Sequence, residues 1–134
     1  MAHVHPVQIY YEDTDFSGVV YHANYLKYFE RAREHLLGVK DLVDLYRDTG
    51  IGFVVYKAEL TFKEGAVFGD SLEIRTTVRA ESDYRAVFVQ QVWRPGGKTA
   101  LVEGLVQLVC VNREKQLVPL PASVLGRLKE SGAL

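Results

Sequence analysis

Three carboxylates stand within four positions of one another, at Glu12, Asp13 and Asp15. Apolar residues recur at helical spacing a few positions later, so this acidic loop leads into the start of a predicted helix. The free N–H groups and the positive dipole end at a helix start stabilise a carboxylate or a developing oxyanion. Any one of these acids alone is best explained as solvated or as a cap. The cluster, flanked by aromatic residues and a glycine, favours a functional site.

His22 and Asn24 lie at the predicted start of this helix, after Gly18 and Tyr21. An imidazole close to a carboxylate orients a water molecule or a carbonyl group, which makes His22 a candidate site residue. For Asn24 alone, capping or packing is the simpler explanation. Gly18 lets a ligand approach the backbone of the loop.

Three further candidates lie outside the loop. Glu30 is in the middle of the helix, where we expect it to form an ion pair with Arg33 or Arg31. The alternative is that Glu30 faces the site as a second carboxylate. Arg85 stands at a strand start as a candidate phosphate ligand, although strand arginines commonly face solvent. Cys110 lies in an apolar strand, which predicts a buried thiol without an activating base.

Two short segments resemble known catalytic or phosphate-binding motifs, but their sequence context excludes both functions. Residues 13–15 resemble the aspartate pair of haloacid-dehalogenase-type phosphatases, but that chemistry needs a parallel, doubly wound sheet. Residues 97–99 resemble the end of a P-loop, but the earlier glycine and the following helix are absent. The histidines at 3, 5, 22 and 35 form no spaced ligand set with the acids, so no metal site is predicted.

The composition bounds the class of protein. The 134 residues are 48% hydrophobic and 25% charged, as in one soluble globular domain spanning residues 1–134. Sixteen Lys and Arg against 17 Asp and Glu leave a net charge of −1, which argues against a nucleic-acid partner. One cysteine excludes an internal disulfide. We see no secretory signal and no apolar run of about 20 residues for a membrane span, and therefore expect a cytoplasmic protein.

Hydrophobic periodicity predicts one strand, one long helix, four consecutive strands and a short helix. Val7, Ile9 and Tyr11 alternate as in a first strand, and a buried helix runs from about Tyr25 to Leu37. A shorter helix is predicted over residues 40–48 and the later strands over 54–62, 72–80, 84–93 and about 99–111, before a last helix that follows Pro121. Consecutive strands with short turns imply an antiparallel sheet with the long helix on one face, which is an α+β domain.

The loop also carries a specific resemblance. Residues 8–9, 14–15, 18–20, 23 and 25 look like the signature of the 4-hydroxybenzoyl-CoA thioesterase family. Residues 10–15 (YYEDTD), 18–22 (GVVYH) and 28–33 (YFERAR) are similar, more closely, to the YbgC-type acyl-CoA thioesterases associated with the Tol–Pal cell-envelope system. The similarity continues at residues 108–111 and 120–121 and so spans nearly the whole chain.

This resemblance implies a hot-dog fold, in which a curved antiparallel sheet of about five strands wraps around one long central helix. That fold agrees with the element order predicted from periodicity. The resemblance further implies a homodimer or a dimer of dimers, with each active site formed at a subunit interface. An acyl carrier protein is a further partner to consider.

The resemblance also assigns roles to residues. It places the catalytic aspartate on Asp15 and the backbone N–H that polarises the thioester carbonyl at His22, beside Tyr21. Asp15 would either attack the carbonyl or act as general base on water. From their positions in the sequence, the predicted substrate contacts are Tyr21, Gly18 and Asn24, together with Arg85.

The expected activity is hydrolysis of an acyl-CoA thioester to a free acid and CoA. CoA is part of the substrate, and neither a metal nor a redox cofactor is required. The alternative is a non-catalytic module that binds acyl-CoA or an acyl carrier protein. Asp15 argues against that alternative, because a binding module gains nothing obvious from a carboxylate aimed at a carbonyl.

Overall fold

One long helix and a six-stranded antiparallel sheet dominate the computed structural model, which describes residues 1–134. The helices are α1 (Asn24–Leu37), α2 (Val39–Thr49) and α3 (Ala122–Ser131). The strands are β1 (His3–Gln8), β2 (Gly52–Phe62), β3 (Ser71–Ala80), β4 (Arg85–Trp93), β5 (Val102–Val111) and β6 (Leu117–Val118). None of the helices combines the length and the apolar character needed to cross a membrane.

The sheet does not follow chain order. Its strands lie in the order β1-β3-β4-β5-β2, and β6 pairs with β5. β2 therefore pairs with β5 and not with β3, its successor in the chain. This crossover leaves β2 and β1 as the two long edges of the sheet.

Helix α1 packs its apolar stripe on one face of this sheet, as its spacing predicts. Tyr28, Phe29, Ala32 and Leu36 are at most 2% exposed. On the sheet, the alternate residues of β5 that face the helix are also buried, which gives that strand a period of two. Gly38 has a φ of 96° and its N–H bonds to the Glu34 carbonyl, so α1 ends at the predicted glycine.

The predicted element order and the antiparallel sheet around one helix are confirmed, with local corrections. The first strand ends at Gln8 and does not continue to Tyr11, because Tyr11–Asp13 form a 3₁₀ turn. The Asp13 carboxylate accepts the Tyr10 N–H at 2.7 Å and stabilises that turn. β5 begins at Val102, later than predicted, and the two-residue strand β6 was not predicted.

Candidate active site

Asp15 lies in a tight loop that leads towards α1. Its own N–H donates to the Val19 carbonyl at 2.9 Å, and Thr14 pairs with Val20 as an isolated antiparallel bridge. Gly18 closes the loop with a φ of 83°, a left-handed conformation that glycine adopts without strain. Nothing lies within 4 Å of the position where a Cβ on Gly18 would stand, so the backbone and not crowding requires a glycine here.

The two oxygens of the Asp15 carboxylate differ in their surroundings. Oδ1 accepts the Ser17 N–H at 2.8 Å, which holds the side chain in one orientation. Oδ2 makes no hydrogen bond within the chain, and the residue is exposed. The loop therefore presents one free carboxylate oxygen.

The segment before α1 presents free N–H groups. The Tyr21 N–H donates to the Asp13 carbonyl and the Asn24 N–H to the Tyr21 carbonyl, both at 2.9 Å. The N–H groups of His22 and Ala23, between them, make no hydrogen bond within the chain. Unpaired donors at the positive end of a helix dipole attract an anionic oxygen.

The Asn24 side chain connects the helix start to the acidic loop. Its Nδ2 donates to the Asp13 carbonyl at 2.9 Å, the same oxygen that accepts the Tyr21 N–H. Within one subunit, Asn24 thus holds the acidic loop against the start of α1.

Asp15 and His22 line one open cavity of about 330 Å³. The first wall comes from the loop and α1, and the second wall comes from residues 62–65 at the end of β2 and just after it. The lining residues are Asp15, Val19, Val20, His22, Tyr25, Phe62, Lys63, Glu64 and Gly65. The structure therefore brings the two predicted catalytic residues together.

Aromatic rings form the apolar part of this cavity. The rings of Tyr25 and Phe62 lie 5.9 Å apart, and the His22 ring meets Phe62 edge-on at 6.0 Å. Burial raises the pKa of the Tyr25 hydroxyl, which accepts the Ala66 N–H at 3.4 Å. Tyr25 is therefore a neutral wall residue at ordinary pH.

Gly18, Tyr21, Asn24 and Arg85 do not line the cavity. The first three lie in or beside its loop, whereas Arg85 is remote within one subunit. Arg85 pairs with Val109 and the site end of β5 is Val102, so about 23 Å of strand separates them. The Arg85 guanidinium lies 4.6 Å from the ring of Tyr56. Substrate contacts by these four residues stay predictions.

The other candidate residues, Glu30 and Cys110, do not line the cavity. Glu30 makes no ion pair, so the expected pairing with Arg33 or Arg31 is wrong; Arg33 instead donates to the buried Gln90 Oε1 at 3.0 Å. Cys110 is fully buried, as predicted, and burial raises the pKa of its thiol to about 12. No three His, Cys, Asp or Glu side chains lie close enough to hold one metal ion.

The second wall was not predicted as such. No sequence signal marks Lys63 or Glu64 as site residues. They lie more than forty positions from Asp15, and only the approach of the Phe62 end of β2 to the start of α1 brings them close. A larger cleft of about 500 Å³ lies between α2 and α3 and contains no candidate residue.

Comparison with known proteins assigns the chain to a family. The family model of the Thioesterase-like superfamily matches residues 10–128. The chain is 35% identical over 127 residues to "Acyl-CoA thioester hydrolase YbgC" of Escherichia coli O6:H1, covering 93% of this chain and 94% of that protein.

Two solved structures extend the comparison. A "Probable Thioesterase" from Bartonella henselae is 32% identical, with a TM-score of 0.81 over 90% of this chain and 100% of that one. The thioesterase Slr0204 from Synechocystis is 22% identical and superimposes with a TM-score of 0.88 over 97% of each chain. The hot-dog fold expected from the resemblance is thereby confirmed.

Proposed function

The chain belongs to the thioesterase-like superfamily, and from that membership we propose that it hydrolyses acyl-CoA thioesters to a free acid and CoA. One observation carries the proposal: the Asp15 carboxylate and the residue with a free N–H at the start of α1, His22, line the same cavity. A carboxylate and an oxyanion donor are the two groups that this reaction needs.

Asp15 supplies the carboxylate that drives the reaction. A thioester carbonyl is already electrophilic, so a weak nucleophile suffices when it is held in place. In one route Oδ2 attacks the carbonyl carbon, the C–S bond breaks to release the CoA thiolate, and water then hydrolyses the mixed anhydride. In the other route Asp15 takes a proton from water as the water oxygen attacks the carbonyl carbon, the C–S bond then breaks, and the departing CoA thiolate takes up that proton.

The His22 N–H stabilises the negative charge that forms on the carbonyl oxygen. A donor of this kind contributes on the order of 3 kcal/mol to transition-state stabilisation. The His22 imidazole positions the water or the substrate beside it, and the rings of Tyr25 and Phe62 line the apolar part of the cavity. These steps use no metal and no redox cofactor.

A second copy of the chain completes the proposed site. β2 is an edge strand of 11 residues, and Val54, Val55, Tyr56 and Phe62 on it are 45–62% exposed. The other edge, β1, carries Pro6, a residue that discourages strand pairing. We infer that two β2 edges pair antiparallel, which sets the start of one β2 beside the Phe62 end of the other.

This pairing also gives Arg85 a route to the substrate. Arg85 lies at the sheet end that holds the start of β2, so the partner's copy approaches the cavity that it cannot reach within its own subunit. Its guanidinium would meet a phosphate of CoA. Gly18 and Tyr21 contact the substrate through the loop, with Asn24 at the loop's base.

Replacement of Asp15 by Asn tests the proposal. We expect free-thiol release from acyl-CoA to fall by about 10²- to 10⁴-fold, because the amide neither attacks nor accepts the proton. Acyl-CoAs of graded length and benzoyl-type thioesters should be assayed in parallel. Glu12→Gln is the matched control, since Glu12 is exposed in the same loop and lines no part of the cavity.

The outcomes are distinct. Full turnover in Asp15→Asn, combined with loss in Glu30→Gln, would transfer the reaction to the helix carboxylate. Tight binding of acyl-CoA in isothermal titration without any product from the wild type would replace the enzyme with a binding module.

A further inference from the structure

The second wall of the cavity is held by an arginine that the proposed reaction does not use. Arg94 follows β4, and its guanidinium contacts the wall segment, residues 62–70, at three points. Nη1 donates to Glu64 Oε1 at 2.9 Å, and Nη2 donates to the Gly65 carbonyl at 3.2 Å and to Asp70 Oδ2 at 3.1 Å. These bonds to two carboxylates raise the pKa of Arg94.

The wall segment in turn positions the residues before His22. The Val20 N–H donates to the Ala66 carbonyl at 2.9 Å. Gly65 lies directly against Val19, since a Cβ at Gly65 would stand 2.7 Å from Val19 Cγ1. A shift of the wall segment is therefore transmitted through Val19 and Val20 to the helix start.

Charge gives Arg94 a second effect on the site. Glu64 and Asp15 line the same cavity of about 330 Å³, so the charge of Glu64 acts on Asp15 across that cavity. Lys63 is the one Lys or Arg that lines the cavity, and it is paired with Glu103 at 2.9 Å. Without Arg94, the Glu64 carboxylate would add an unpaired negative charge where the reaction develops an oxyanion.

We propose that Arg94 is a positioning residue for this hydrolysis: it holds the wall segment against the helix start and neutralises Glu64 beside Asp15. The inference rests on the proposed function. The titratable groups on the cavity are Asp15, His22, Tyr25, Lys63 and Glu64, with Asp70 behind the wall as the second acid held by Arg94.

Arg94→Gln is the main test. We expect kcat/KM to fall roughly fivefold. We also expect the acid limb of its pH profile, where activity rises as the catalytic carboxylate ionises, to move up by about half a pH unit, which is the effect of one uncompensated charge across a solvated cavity. The limb moves up because a nearby negative charge makes ionisation of the catalytic carboxylate harder. The loss should lie mainly in kcat, and the limb shift should shrink at high salt.

A second substitution separates charge from structure. In Arg94→Gln/Glu64→Gln the acid limb should return close to its wild-type position, because the unpaired charge on the cavity is gone and Asp70, the other acid released, does not line the cavity. Arg75→Gln is the matched control, since Arg75 is similarly exposed and also pairs with a carboxylate at 2.9 Å, but that carboxylate, on Glu73, does not line the cavity, whereas Glu64 does. Its acid limb should equal that of the wild type.

An unchanged acid limb in Arg94→Gln, or a shifted limb that Glu64→Gln does not reverse, would overturn the inference. If Arg94→Gln does not fold, Arg94→Lys keeps the charge but loses the three-point contact, and should lower kcat without moving the limb; an unchanged kcat would contradict the positioning role. Failure of the proposed function is separate, because it appears as an inactive wild type or a fully active Asp15→Asn.

Discussion

Asp13 and Asp15 belong to one loop, and each carboxylate accepts one backbone N–H. Asp13 Oδ2 accepts the Tyr10 N–H at 2.7 Å and stabilises the 3₁₀ turn, whereas Asp15 Oδ1 accepts the Ser17 N–H at 2.8 Å. Only Asp15 lines the cavity, so its position and not its hydrogen bonding makes it the candidate catalytic acid. Residue type alone does not separate the two, whereas the path of the backbone around Gly18 does.

Gly104 shows how one residue in β5 admits the central helix. A Cβ at this position would stand 2.6 Å from Cε2 of Phe29, whose ring is fully buried and has no room to move. We expect Gly104→Ala to lower the free energy of unfolding by about 1–3 kcal/mol through overpacking. Urea denaturation measures this change.

The matched control for Gly104→Ala is Gly126→Ala in α3. Nothing lies within 4 Å of a Cβ at Gly126, so alanine there should raise the free energy of unfolding by about 0.5–1 kcal/mol through helix propensity. Equal effects of the two substitutions would contradict the close packing of Phe29 on β5.

At the scale of elements, α1 is joined to the sheet by a buried polar network as well as by apolar contact. Gln90 on β4 accepts from Arg33 at 3.0 Å, and its Nε2 donates to the Phe29 carbonyl and to Thr76 Oγ1, each at 3.1 Å. Arg33 is 7% exposed, and burial lowers its pKa. The network gives hydrogen-bond partners to polar groups that would otherwise be costly to bury. It also explains why the Arg33 side chain points towards the sheet and does not pair with Glu30.

A lysine introduced on β2 should affect the oligomeric state differently from a lysine introduced on β1. If β2 is the interface, Val55→Lys should convert a dimer to monomer at micromolar concentration and lower the activity in parallel, because a buried lysine opposes strand pairing. Sedimentation velocity measures the mass. Val4→Lys on β1 is the control, since Val4 is 48% exposed and Val55 is 49% exposed. Dissociation by Val4→Lys alone would assign the interface to the opposite edge.

At the scale of the whole molecule, β1 is packed on α1 through a cluster of cationic and titratable groups. The rings of His5 and His35 stack at 4.5 Å. Burial, followed by the charge of His35, lowers the pKa of both His3 and His5 below 6.5. Arg31 acts on His5 and Arg127 on His3 in the same direction.

The sign of the resulting pH dependence follows from linkage. The unfolded chain takes up protons at these histidines first, so their contribution to stability is complete above pH 6.5 and is lost as the pH falls through the folded-state pKa. We expect the wild-type Tm to fall on acidification from pH 7 through about pH 5.5 more than the Tm of His3→Gln/His5→Gln. Thermal unfolding followed by circular dichroism gives both curves.

His22→Gln is the control for this experiment, because it removes a histidine outside the cluster. Its Tm should follow the wild-type pH dependence. A double variant that loses stability on acidification as steeply as the wild type would show that the cluster does not set the acid sensitivity.

The amino-acid sequence alone established the features that depend on interactions between residues close together in the chain. The apolar spacing of α1, its glycine stop at Gly38 and the alternation in β5 are local, because periodicity and caps depend on near neighbours. The position of Asp15 just before a helix start is local too. The family resemblance predicted His22 as its catalytic partner through a motif of nearby residues.

Tertiary structure alone decided the rest. That β2 pairs with β5 and becomes an open edge depends on a crossover that short-range pattern does not encode. The approach of Glu64 to the cavity, the hydrogen bonds of Arg94 to the wall segment and the turn of Arg33 towards Gln90 all join residues at least 24 positions apart. Such contacts exist only when the chain has closed, because burial and charge pairing act through space and not along the sequence.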